Sequence, residues 1–219
     1  MPAAKRTARP VTGRPTREAS EELIRHALGV ARNHFIDFGF DGTSIEGIAQ
    51  AAGVSKLTLY RHFETKKGLF VAVLERLVGD YADNMSAKID TARPPREVLH
   101  AMGSFLASSY FTPQGQNLTR ILIGEQLRMD DISQHSNRVA SMARSPVENY
   151  LKLLQDSGQA RFDDIRMAAA QFVNLCMLGQ YYLLCDARDA IPPPRTRARI
   201  VRSAVDMFAG AYLVDAKGA

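Results

Sequence analysis

The 219-residue sequence predicts an all-α protein made of an N-terminal head with a helix-turn-helix and a larger helical body. Three observations lead there. Apolar residues recur three and four positions apart along most of the chain, and no strand-like alternation is sustained. Glycine and proline clusters cut the second half into helix-length pieces. Between Thr43 and Phe63, in TSIEGIAQAAGVSKLTLYRHF, two short amphipathic segments flank a glycine.

Ser20 to Phe38 reads as a first helix, with an apolar stripe of Leu23, Ile24, Ala27, Ala31, Phe35 and Phe38 and with Gly39 placed to end it. Phe35 and Phe38 are expected to cover the back of the reading unit, with Phe40 beside them. Thr43-Ser44-Ile45-Glu46 reads as a capping box, in which the threonine hydroxyl and the glutamate satisfy the open amides of a second helix. Ile45, Ile48, Ala49 and Ala52 face a core. Gly53 allows a sharp turn, Val54 pins it, and Ser55 caps a third helix whose buried side carries Leu59 and Phe63. Lys56, Leu57, Thr58, Tyr60, Arg61 and His62 are left for its other sides, a mixture of cations, hydroxyls and an aromatic that suits a major groove. Lys56, Leu57 and Thr58 are expected near base edges, and Tyr60, Arg61, His62 and Lys66 nearer phosphates; Thr43 and Ser44 are candidate donors to the backbone, and Ser55 completes the DNA-binding candidates. Thr65 begins a fourth helix. Lys66 and Lys67 occupy its first turn, where the dipole disfavours cations, and either a nearby anion or plain solvation would answer that conflict.

The stretch from about Leu23 to Leu74, including FIDFGFDGTS, IAQAAGVSKLTLYRHF and TKKGLFVAVLE, resembles the N-terminal domain of TetR-family transcriptional regulators. The resemblance implies two-fold symmetry, a three-helix head, and a body in which a small molecule sets the spacing of two heads. It also implies that a lysine at the position of Lys66 faces the DNA backbone. Many members carry glycine where this chain has Leu57, which would either pack on a thymine methyl or keep other side chains away. RILIGEQLRM around Glu125 and AAAQFVNLCMLG around Phe172 are similar to the AefR-like subgroup of TetR C-terminal domains. The domains expected are a flexible basic arm over 1–17, a helix-turn-helix domain over 18–66 and the ligand-binding and dimerisation domain over 67–219.

In the body, breaks at Arg93-Pro94-Pro95, Thr112-Pro113, Gly158 and Pro192-Pro193-Pro194 leave candidate helices over Arg96–Tyr110, Gln116–Met129, Ile132–Asp156, Asp163–Asp186 and Arg195–Leu213. Pro146 is a candidate interruption of the third, and Asp163 or Asp164 a cap for the fourth. Pocket candidates are Met102, Phe105, Tyr110, Ile121, Glu125, Met129, Met142, Phe172 and Cys176, though methionine and aromatic positions at helical spacing are more often plain core. Glu125 is the sharpest polar candidate, with an ion pair to Arg128 as its alternative. Tyr182, Val201, Val205, Phe208 and Tyr212 are candidates for a four-helix dimer interface, with intrachain packing as the alternative.

Charge is distributed unevenly. Lys5, Arg6, Arg9, Arg14 and Arg17 precede the first acid, Glu18, and the remaining chain carries 23 charges of each sign, so the net +5 lies in the arm. Such an arm adds phosphate contacts or enters a minor groove, or else only solubilises. Cys176 and Cys185 match no zinc spacing, and their scarcity suits a reducing cytoplasm. No metal and no cofactor is expected. Met167 to Cys185 is uncharged over 19 residues, but Gln171, Asn174 and Gln180 disfavour a membrane span. His26, His34, His62, His100 and His135 form no HExxH, and no nucleophile motif or phosphate-binding glycine loop is present, so no catalytic residue is assigned. The expected partners are double-stranded operator DNA, an unidentified small-molecule effector and a second copy of the chain. A repressor, an activator with the same head, and a small-molecule binding protein with vestigial DNA affinity remain as functions.

Overall fold

The computed structural model describes residues 17–116, 119, 133–177 and 191–214. Among them eight helices follow one another: α1 (Arg17–Gly42), α2 (Ile45–Ala52), α3 (Lys56–Phe63), α4 (Lys66–Ser86), α5 (Pro95–Tyr110), α6 (Ser133–Asp156), α7 (Ile165–Met177) and α8 (Pro194–Tyr212). The chain divides into two compact units, one ending at Phe70 and one starting at Val71.

In the first unit α1 does not stop at Gly39 but bends there, with φ 70° and ψ −178°, a region open essentially to glycine alone. The bend changes which phenylalanine faces inward. Phe38 is 61% exposed, against the expectation that it covers the reading unit, and Phe40 takes its place. Phe40 stacks on Phe35 at 6.0 Å and meets Phe70 edge-on at 5.2 Å, while Phe35 and Phe70 lie 4.9 Å apart. Leu23 also points outward, so the buried stripe of α1 is Ala27, Ala31 and Phe35. On α2, Ile45, Ile48, Ala49 and Ala52 are all buried, as the spacing predicts.

The second unit is built around α5, α7 and α8. Helix α8 packs on α5 and α7, and α7 also contacts α5 and α6. Phe172 and Phe208 meet edge-on at 5.0 Å in this core, and Phe208 and Tyr212 lie 4.8 Å apart. Arg96 on α5 pairs with Asp206 on α8 at 3.1 Å. Asp164, one of the two expected caps, accepts from the Met167 amide at 3.0 Å. An antiparallel bridge between Ala160 and Leu213 joins the turn before α7 to the end of α8.

Helix α6 runs through Pro146 without a break. A proline there removes the amide that would bond the carbonyl four residues back, at Met142. The Ser145 hydroxyl donates to that same carbonyl at 2.9 Å, which is how the helix tolerates the proline.

Candidate nucleic-acid interface

The turn between α2 and α3 is fixed by backbone bonds. Gly53 adopts φ 65°, its amide donates to Gln50 at 3.2 Å, and the Val54 amide reaches back to Ala49 at 3.0 Å, satisfying the last carbonyls of α2. Ser55 then caps α3, accepting from the Thr58 amide at 3.0 Å and sharing a 2.8 Å hydrogen bond with the Thr58 hydroxyl. Only Leu59 on α3 is fully buried. Lys56, Leu57, Tyr60, Arg61 and His62 are exposed, Leu57 to 75% and Tyr60 to 42%. Of the residues the sequence assigned to DNA on this helix, five therefore stand outside together, while Thr58 is half-buried and Ser55 is engaged as the cap.

The start of α2 differs from the capping box expected. Ser44, not Thr43, is the cap, accepting from the Gly47 amide at 3.0 Å. Thr43 is buried, and its hydroxyl donates to the carbonyls of His34 at 3.0 Å and Gly39 at 2.7 Å. Its side chain therefore faces the α1 bend rather than solvent, and is not available as a phosphate donor. Glu46 is likewise not used as a capping glutamate. Its carboxylate crosses the turn to form an ion pair with the Lys56 ammonium. That contact holds the Glu46 carboxyl below its usual range and the Lys56 ammonium above its own.

Lys66 resolves its conflict with the α4 dipole internally. Its ammonium donates to the Thr43 carbonyl at 2.8 Å and lies 4.5 Å from the centre of the Phe40 ring. Thr65 caps α4 by accepting from the Gly68 amide at 2.9 Å. Between α3 and α4, Glu64 sits at φ 60°, an uncommon conformation for a side chain with a Cβ, and donates its amide to Tyr60 at 2.8 Å. The spacing of apolar residues carries no sign of Glu46 or Glu64 as participants, because both roles arise from the tertiary turn.

In the body, the pocket candidates Met102, Tyr110, Phe172 and Cys176 belong to the apolar core, with Phe105 packed against it and Met142 half-buried. Ile121, Glu125 and Met129 lie outside the described residues, as does the dimer candidate Tyr182. Tyr81, absent from the sequence-based candidates, lies 5.3 Å from Phe105, and its hydroxyl is pushed upward by burial and secondarily by Cys176. Val201, Val205 and Phe208 are buried within their own chain, which leaves them no surface to offer a second copy. Tyr212 is half-buried, with its hydroxyl donating to Gln171 at 2.6 Å. The alternative of intrachain packing thus describes this stripe. A solvent-open cleft of about 240 Å³ is lined by Arg96, Glu97, His100, Arg202, Val205 and Asp206, and contains none of the pocket candidates. Among the described residues no group of histidine, cysteine, aspartate and glutamate could hold a metal, and no helix is long and apolar enough to cross a membrane.

An all-helical chain with an exposed, polar second helix in a glycine-turned pair defines a helix-turn-helix transcriptional regulator. A model of bacterial regulatory proteins of the tetR family matches residues 27–73, and one of the AefR-like transcriptional repressor C-terminal domain matches residues 97–214. The chain belongs to the TetR family, with an AefR-like C-terminal domain. The regulator RutR of Escherichia coli K12 is 32% identical over 124 residues, which is 56% of this chain and 58% of RutR, so the chain matches little more than half the length of that relative. The nucleoid occlusion factor SlmA of Actinobacillus pleuropneumoniae is 27% identical over 77% of this chain and 81% of its own. Among solved structures, a TetR-family regulator from Mesorhizobium loti superposes with a TM-score of 0.77 at 23% identity, covering 91% of this chain and all of that one. FadR from Bacillus subtilis in complex with stearoyl-CoA gives 0.63 at 17% identity, covering 84% and 97%.

Proposed function

We propose that this chain is a homodimeric, ligand-responsive repressor that a small molecule releases from a palindromic operator. The observation that carries this reading is α3, anchored by Leu59 and presenting Lys56, Leu57, Tyr60, Arg61 and His62 outward on a turn rigid enough to place them reproducibly. Arg61 and His62 lie in the last turn of α3 beside Tyr60 and serve phosphates, while Lys56 and Leu57 at its start approach base edges. Leu57 packs against a thymine methyl in this arrangement. The Ser44 hydroxyl, exposed at the start of α2, donates to the backbone. Lys66 gives one ammonium proton to the Thr43 carbonyl and keeps two further donors for a phosphate.

A second copy is supplied with a surface by α7 and α8. The two helices pack together and keep uncharged outward rows, Met167, Gln171 and Asn174 on one and Ser203, Met207 and Gly210 on the other, each at spacings of four and three. Effector binding in the body, near Tyr81, Phe105 and Cys176, shifts the population away from the head spacing that fits the operator. The test is selection of an operator from random DNA, followed by titration with and without candidate effectors. Release by an effector supports the repressor. Binding that strengthens with the effector supports the second reading, an activator, which is favoured by the 35% identity over 95 residues to the activator FasR of Mycolicibacterium smegmatis. Only weak binding of every duplex alike would instead indicate a small-molecule binding protein.

A further inference from the structure

We propose that Glu46 is a specificity-determining residue of the head, holding Lys56 back from phosphates in loose complexes and yielding it where an operator presents a base edge in register. This inference rests on the reading of α3 as the DNA-contacting helix. Glu46 lies in the first turn of α2 and Lys56 opens α3, ten residues apart in sequence, yet their side chains meet across the turn. The turn they span is fixed at Gly53 by two backbone bonds and at Ser55 by the cap, so the pairing follows from the fold. Each partner also suits its own position. A carboxylate is favourable at the start of α2, whereas an ammonium is unfavourable at the start of α3, and Glu46 supplies the negative charge that Lys56 needs there. Both side chains are about half exposed, so the pair is open to competition from another anion.

The consequence concerns which complexes release the lysine. In a loose, sequence-independent complex, phosphates lie at no fixed distance from the head, and Lys56 gains little by exchanging one exposed carboxylate for one exposed phosphate. In an operator complex the contacts of Tyr60, Arg61 and His62 fix the register, and a base edge is held where Lys56 can reach it. Glu46 therefore withholds one cation from nonspecific binding without withholding it from the operator. Lys66 likewise has a partner, the Thr43 carbonyl, so neither lysine of this corner is idle in the free head.

The experiment uses the full-length protein and its Glu46→Gln, Lys56→Gln and double variants, titrated by fluorescence anisotropy on a selected operator and on a scrambled duplex over a salt series. Circular dichroism melts check that each variant is folded. Glu46→Gln is expected to tighten binding to the scrambled duplex roughly three- to tenfold and to steepen its salt slope by about 0.9, the increment for one added phosphate contact. Operator affinity changes less, so the specificity ratio falls. In the Lys56→Gln background the same change has no effect. Equal tightening on both duplexes, an unaltered ratio, or an effect that survives without Lys56 would overturn the proposal, since each reduces Glu46 to an undirected negative charge. If wild-type protein prefers neither duplex, the reading of α3 fails and takes this inference with it. If wild type discriminates and Glu46→Gln leaves the ratio intact, only the inference fails.

Discussion

Thr43 shows how one side chain can serve a head from inside it. Its hydroxyl bonds two carbonyls of α1 near the Gly39 bend, and its own carbonyl receives Lys66. Thr43→Val keeps the shape and removes the hydroxyl, so it should lower stability by about 1–2 kcal/mol, measured by urea denaturation. Cys176 gives a second residue-level prediction. Burial pushes its thiol from an ordinary 9.0 to about 12. Its contribution to stability is therefore complete below about pH 9 and is lost as pH rises toward 12, because only the unfolded thiol ionises in that window. Tyr150 acts in the same sense, pushed by burial from 10.0 to about 12. Alkylation at pH 8 followed by peptide mass analysis should leave Cys176 unmodified in the native protein and modify it in urea; native labelling at the urea rate would contradict its burial. Neither the inward hydroxyl of Thr43 nor the role of Glu46 was legible in the sequence. A capping box is written identically whether its threonine or the next serine caps, and the choice here follows from the bend at Gly39.

Periodicity was a good guide to the elements and a poor one to their joints. The stripe on α2, the glycine turn and the Ser55 cap follow from residue spacing alone. The expected stripe of α1 overreaches at both ends: Ala27, Ala31 and Phe35 in its middle are buried, whereas Leu23 and Phe38 at its flanks stand outward, and Phe40 beyond the Gly39 bend packs on Phe35 instead. Pro146 was a candidate interruption because the rule about prolines ignores a serine hydroxyl able to replace the lost donor. Ser145→Ala should therefore cost about 1 kcal/mol, by leaving the Met142 carbonyl with one fewer donor; a denaturation midpoint unchanged from wild type would remove this account of α6. The α3–α4 joint depends on a close approach as well as on the Thr65 cap. A Cβ on Gly68 would lie 2.1 Å from the Phe63 carbonyl oxygen, so the backbone must shift to admit it. Gly68→Ala should destabilise the head by about 1–3 kcal/mol and weaken operator binding along with it.

At the scale of the molecule, the fold class is legible because helical periodicity extends along most of the chain, and the exposure of Lys56, Leu57, Tyr60, Arg61 and His62 is legible because they cluster on one short helix around Leu59. The partner surface was not. Val201, Val205 and Phe208 form the apolar stripe of α8, and a sequence cannot tell a stripe that faces its own core from one that faces a second copy. The outward row that remains contains Met207, 60% exposed. Met207→Glu should convert the proposed dimer to monomer in analytical ultracentrifugation and lower apparent operator affinity through loss of bivalent binding, whereas a dimer as tight as wild type would place the interface elsewhere. The central claim is that α3 reads DNA. Fluorescence anisotropy on DNA from upstream of the chain's own gene, beside a scrambled duplex and over a salt series, tests it with an Arg61→Ala, Tyr60→Phe variant as control. The account predicts a preference of roughly a thousandfold or more that the variant loses. Equal and weak binding to both duplexes, persisting on DNA selected from random sequence and unaffected by the variant, would contradict it.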